Sequence, residues 1–244
     1  MAAMLDARSL LRGWEAAAGS PPAARGAVLV HHAGAAADVA DVLDLPLGDV
    51  AALAAEVYAD MFGPAVAGLV PCPECGELLE AQIDLSEAGI SGAQPTRDVA
   101  PLGVRTGAGE LVVSALTVRD LLAVRGLPEQ QAVPALVSAC ASWPDGRPVT
   151  PDQLGDGDLA LVDTAARQLA GAAAVTLSMN CPACGSDIRA GVDVAALLWQ
   201  RIDAAAPRLL SEVATLAGAY GWSEDSVLAM SARRRRSYLA LVGS

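Results

Sequence analysis

Four cysteines form the one arrangement in this sequence whose spacing dictates chemistry. Cys72-Pro-Glu-Cys75-Gly and Cys181-Pro-Ala-Cys184-Gly are two C-P-x-C-G knuckles. Two thiolates this close on a tight turn chelate a single ion. The glycine after the second permits a positive φ and lets main-chain amides face the sulfurs. Together the knuckles complete a tetrahedral site of four thiolates: Cys72, Cys75, Cys181 and Cys184. Zn2+ suits that site because it has no redox chemistry and no preferred distortion, so one structural Zn2+ per chain is expected. Four thiolates leave no position for water, which makes the role structural and not catalytic. Two separate redox C-x-x-C pairs and an iron–sulfur cluster are the competing readings. The redox reading is weaker, since thioredoxin-like chemistry uses one motif in a βαβ setting. Cys140, between two alanines, reads as a buried core thiol.

Other reactive side chains do not gather. His31 and His32 are the only histidines and have no metal-ligand partners spaced nearby, so they read as part of a surface loop or strand end. Asp84 and Asp193 match across the two knuckle regions and are placed to cap the helices after them. No Walker loop and no G-x-S-x-G elbow is present. The sequence makes no case for an enzyme.

The elements that position the cysteines repeat with them. Residues 72–85 read CPECGELLEAQIDL and residues 181–194 read CPACGSDIRAGVDV. After each knuckle the apolar residues alternate: Leu79, Ala81, Ile83, Leu85, and Ile188, Ala190, Val192, Val194. That is the pattern of a half-buried strand. Each knuckle therefore leads into a strand of the same kind, as in the two halves of a zinc ribbon, and the two strands are expected close together. The separation is unusual: residues 76–180 lie between the knuckles, far more than the usual spacing of about 15–20. Closing such a loop through a metal removes on the order of 4 kcal/mol of unfolded-chain entropy, and zinc binding supplies about 10 kcal/mol or more.

Around this unit the pattern is mostly helical. An amphipathic helix is expected over 5–18, broken at Gly19-Ser20-Pro21-Pro22, and two helices over 34–63. Residues 89–109 read as loops or a hairpin, 110–118 as a strand, 132–141 and 158–173 as helices, and 175–179 as a short strand. From Ala195 the chain reads as helical to the end, with breaks at Pro207 and Gly221. The fold class is α+β, mostly helical, with a small zinc-ribbon-like β unit built from knuckles distant in sequence. The divisions are an N-terminal helical region (1–68), a split zinc-ribbon unit (69–194) with a long mixed insert at about 86–174, and C-terminal helices (195–244).

The chain has 244 residues, 53% hydrophobic but only 3% aromatic, so its core is built from small aliphatic side chains. A formal charge of −12 argues against nucleic acid as the main partner, since such binding rests on basic groups neutralising phosphates. No stretch has the apolar length of a membrane span, and the N-terminal residues lack the apolar centre of a signal peptide. A cytoplasmic location with reduced thiols is expected, or a place in an assembled particle.

The C-terminal stretch carries the second signal. Leu209, Leu210, Val213, Leu216, Ala217 and Tyr220 lie at helical spacing, Gly221 ends that helix, and Ser223 and Ser231 are placed to cap two more. The last contains Arg233, Arg234, Arg235 and Arg236, which fan round the axis and sit at the end where the helix dipole disfavours cations. Something acidic must offset them, inside the chain or on a partner. The run LLSEVATLAGAYGWSEDSVLAMSARRRRSYLALV resembles the end of small baseplate proteins of contractile phage tails and phage tail-like contractile injection systems. The segment from Leu45 to Leu85, the RDLLAVR stretch and CPACGSDIRAGVDVAALLWQRID also resemble that family. The resemblance implies a non-enzymatic protein that forms or assembles a baseplate, with other baseplate or tail proteins as partners. Tyr220, Trp222 and Arg233 to Arg236 are the expected contact residues. The alternative is a zinc-ribbon DNA-binding regulator using the C-terminal helices.

Overall fold

The computed structural model describes residues 5–91 and 99–242, so part of the loop expected at 89–109 lies outside the described residues. In chain order the elements begin with α1 (Ala7–Ala18), α2 (Pro22–His32), α3 (Val39–Leu43), α4 (Leu47–Phe62), β1 (Ala65–Pro71) and β2 (Leu78–Asp84). The middle of the chain holds β3 (Leu102–Arg105), β4 (Glu110–Val113), α5 (Val118–Ala123), α6 (Glu129–Cys140), β5 (Ala141–Ser142) and α7 (Asp156–Ala170). The remainder is β6 (Thr176–Asn180), β7 (Asp187–Gly191), α8 (Val194–Tyr220), α9 (Glu224–Leu228) and α10 (Ala232–Val242). The fold is mixed helix and sheet with small antiparallel sheets only.

Helices from both ends of the chain share one core. The apolar stripe of α8 (Val194, Leu198, Ile202, Ala206, Leu209, Val213, Leu216) is buried with Leu10 and Leu11 of α1, Leu29 and Val30 of α2, and Val50, Ala54 and Val57 of α4. With few aromatics to fill space, the helices approach closely. A Cβ placed on Gly26 would lie 2.4 Å from the Ala195 Cβ, and one on Gly48 would lie 2.5 Å from the Ala170 carbonyl oxygen. Only residues without side chains permit those crossings.

Two hairpins rise from this core. β1 pairs with β2 from Ala65↔Asp84 to Pro71↔Leu78, and β6 pairs with β7 from Thr176↔Gly191 to Asn180↔Asp187. The strand after each knuckle thus pairs within its own hairpin. The hairpin bases belong to the helical core through Val66, Leu85 and Val192. Their tips carry the knuckles and form a small core of their own, Cys72, Cys181 and Ile188 backed by Val70, Leu79 and Met179. The hairpins stand on the helices as two legs of an arch that meet at the cysteines.

The intervening residues build a separate core, in which Leu111 and Val113 of β4, Cys140, Val149, and Val162 and Leu169 of α7 are buried. The sheet β3–β4–β5 covers one side of it. This unit is fastened to the helical core by hydrogen bonds and by close packing: Leu47 N–H donates to the Leu116 carbonyl at 2.9 Å, Arg119 pairs with Asp44 through two hydrogen bonds, and the end of α7 at Ala170 packs against Gly48 of α4.

Several expectations are corrected. Residues 22–32 are a helix, because Pro22 stands at its first turn, where a proline loses no hydrogen bond. The strand expected over 110–118 stops at Val113; Thr117 then caps α5, with Asp120 closing the capping box. Residues 65–71, to which the sequence pattern assigns no element, are β1. α8 runs through Pro207 unbroken, since Pro207 lies on the exposed side and the buried stripe continues on either side of it. The repeat also extends beyond the knuckles. The offset that carries Cys72 onto Cys181 carries α4 onto residues 156–171, which is α7 plus one residue. Leu45, Gly48 and Asp49 fall on Leu154, Gly157 and Asp158.

Candidate metal centre and the C-terminal cluster

The two knuckles have the same backbone. In the first, Cys72 N–H donates to the Glu77 carbonyl at 2.8 Å and Gly76 N–H to the Cys72 carbonyl at 2.9 Å. In the second, Cys181 N–H donates to the Ser186 carbonyl at 2.9 Å and Gly185 N–H to the Cys181 carbonyl at 2.8 Å. Gly76 and Gly185 have φ of 76° and 77°, the left-handed conformation that a side chain disfavours. In each knuckle the first cysteine is buried and the second is exposed.

The sulfurs converge across the arch. Cys72 Sγ lies 3.7 Å from Cys184 Sγ, Cys75 Sγ lies 3.6 Å from Cys181 Sγ, and all four fall within 4.8 Å of one another. Four sulfurs bound tetrahedrally at about 2.3 Å stand about 3.8 Å apart. The spacing and donor set therefore fit one tetrahedral metal ion. The hydroxyl of Ser186, then the main-chain N–H groups of Cys75 and Glu74, pull the Cys72 thiol down to about 6. At Cys75 the main-chain N–H of Glu77 pulls the same way, but desolvation and the three facing sulfurs outweigh it and push the thiol up to about 12. Ser186 also lowers Cys184, first through its hydroxyl and then through its main chain. Crowded thiols of this kind hold and release protons as one group, and a dication that replaces the protons removes the repulsion.

Tyr220, Trp222 and the arginine run lie together at the far end of α8. Gly221, at φ 68°, ends that helix and turns the chain into α9. Tyr220 stacks on Trp222 with ring centres 4.5 Å apart, and Tyr238 of α10 meets both edge-on at 5.7 and 4.8 Å. The four arginines are divided as their fan requires. Arg235 is buried; its Nε donates to Glu212 Oε2 at 2.9 Å and its Nη1 to the Met230 carbonyl at 2.7 Å. Glu212 is thus an acidic group that offsets the run from within. Arg234 lies over the Tyr238 ring at 5.6 Å, Arg236 donates to the Ala232 carbonyl, and Arg233, Arg234 and Arg236 are exposed. Ser223 and Ser231 accept from Ser226 N–H and Arg234 N–H, as caps should.

The other candidates lie apart. His31 and His32 end α2 instead of lying in a loop, and His31 Nδ1 contacts the Ala36 carbonyl at 3.1 Å. Asp193 caps α8 through Ala196 N–H, whereas Asp84 accepts from Ser86 and Glu87 in a turn. Cys140 is buried in the insert core, and burial pushes its thiol up. Sequence reasoning missed Ser186 and Glu212. Ser186 was available as the residue two after the second knuckle's last cysteine; Glu212 carried no local signal, being 23 positions from its partner.

No protein-family model, curated protein or solved structure matches the chain. Among the described residues no helix is long and apolar enough to cross a membrane.

Proposed function

We propose that the protein is a non-enzymatic structural or assembly component of a contractile tail baseplate, its arch held by one structural Zn2+ in a divided zinc ribbon. Cys72, Cys75, Cys181 and Cys184 are the ligands of that ion. The α8–α10 end docks onto another baseplate or tail protein through Tyr220, Trp222, Arg233, Arg234 and Arg236, while Arg235 is an internal anchor. The observation that carries the reading is the C-terminal run itself. The stretch that resembles the baseplate family is the one that folds into an aromatic cluster, with Arg234 over its Tyr238 ring and Arg233 and Arg236 exposed on the same helix. Aromatic and arginine side chains carry interface energy disproportionately.

Changing Arg233, Arg234 and Arg236 together to Ala tests the reading in cells that assemble the particle. Loss of assembled particles, with the variant folded and zinc-loaded, is the expected result. Normal assembly would remove the docking role. Tight DNA binding by the wild-type protein, with a steep salt dependence, would favour the regulator instead.

A further inference from the structure

The four sulfurs cease to be equivalent when the residues after the knuckles are compared. Cys75 and Cys184 occupy the same place in the repeat and both are exposed, with Glu77 and Ser186 each two positions on. The side chains at those positions differ, a carboxylate in the first knuckle and a hydroxyl in the second. Ser186 Oγ lies 3.1 Å from Cys184 Sγ and 3.2 Å from Cys72 Sγ, between one sulfur of each leg of the arch. Its carbonyl accepts from Cys181 N–H at 2.9 Å, which holds the serine's main chain in the knuckle turn, and its hydroxyl is placed by the two sulfur contacts. A metal-bound thiolate carries no proton to give, so towards it the serine is the donor. One proton serves one sulfur at a time, with the second in reach. A donated O–H draws charge from sulfur, which slows its attack on electrophiles and steadies it on the ion.

We propose that Ser186 is a positioning residue of the metal centre: its hydroxyl serves Cys72 and Cys184 in turn, and leaves Cys75 as the exposed sulfur without a side-chain hydroxyl, through which the centre reacts and opens. The inference rests on the metal reading above, and the experiment separates the two. Zinc content is measured first; a wild-type protein that takes up no zinc overturns the metal reading, and the serine's role with it. The zinc-loaded wild-type, Ser186→Ala and Ser186→Thr proteins are then treated with N-ethylmaleimide, the labelled cysteines are mapped by peptide mass, and zinc transfer to a chelating dye is timed. The expected wild-type order is Cys75 before Cys184. In Ser186→Ala, Cys184 labelling and zinc transfer both speed up about tenfold, the size usual for such outer partners, and Ser186→Thr, which keeps the hydroxyl, behaves as wild type. Equal labelling of Cys75 and Cys184 in the wild type, or an unchanged pattern in Ser186→Ala, overturns the proposal while leaving the zinc site standing. If Ser186→Ala does not fold, the order in wild type and Ser186→Thr decides: Cys75 first in both supports the proposal, and equal rates in either overturn it.

Discussion

Arg235 is the residue where charge and burial conflict most directly. A guanidinium with a side chain 8% exposed is tolerable only because Glu212 and the Met230 carbonyl meet it. Removing Glu212 leaves that charge buried and unmatched. Glu212→Ala is expected to cost about 2 kcal/mol, less than the 3–5 kcal/mol of a fully buried pair because Glu212 keeps contact with water. A drop in the urea midpoint with unchanged slope is the measurement. Asp6 gives a pH-dependent case. Bonded by Ser9 N–H at the start of α1, its carboxyl is held below its ordinary 3.8. A depressed folded value means the cap's contribution is complete above about pH 4 and fades as pH falls through the folded value. Asp6→Asn should therefore flatten the acid limb of a stability–pH curve, and an unchanged limb would assign the acid sensitivity elsewhere. At this scale the cysteines were legible because both members of each pair lie within four residues. Ser186 and Glu212 were not, because their partners are brought to them only by folding.

At the level of elements, close approach governs which positions accept change. Gly26 in α2 meets Ala195 in α8, and no flexible atom there can yield. Gly26→Ala is expected to lose about 1–3 kcal/mol by overpacking, and Gly48→Ala a comparable amount. Gly218, on α8 with open space around it, is the contrast; Gly218→Ala should gain about 0.5–1 kcal/mol from helix propensity. Thermal midpoints of the three variants check both signs. The alternating strands after each knuckle were legible because period-two burial writes itself into sequence. β1 was not, since Gly68 and Pro71 interrupt its pattern and its partner strand defines it. Pro207 misled for a related reason: a helix held by a long buried stripe tolerates a proline on its wet side. The α4–α7 correspondence was readable from Leu45, Gly48 and Asp49 against Leu154, Gly157 and Asp158. It was obscured because α4 is buried nearly all round whereas α7 keeps a polar face.

For the molecule as a whole, the four-cysteine cluster, with the ion proposed for it, is the keystone of the arch and not the foundation of the fold. Both hairpin bases are rooted in the helical core, so losing the ion should loosen the tips and leave the helices in place. In the proposed zinc-bound protein, Cys181→Ser or removal of the ion by chelator is expected to lower stability by about 4 kcal/mol when free zinc stands about 1,000-fold above its Kd, while most far-UV helical signal persists at 25 °C. Complete loss of that signal would make the ion a condition of folding, as in small zinc fingers. The shared core of the two chain ends was not legible. Helical spacing shows that a stripe is apolar, but not which other stripe it meets.

The burial of α4 has a consequence for how the protein is made. Its apolar residues are covered by α2, which is synthesised before it, and by α8, which begins at Val194. At about 5–20 residues per second, on the order of ten seconds pass between the appearance of α4 and the arrival of its cover. For most of that interval, until Cys181 and Cys184 are made, the first knuckle also waits for the second. A ribosome-bound chain halted before Cys181 therefore presents a sticky, half-wrapped helix and two unmatched knuckle thiols. Such a halted chain should recruit holding chaperones, and one halted beyond the end of α8 should not.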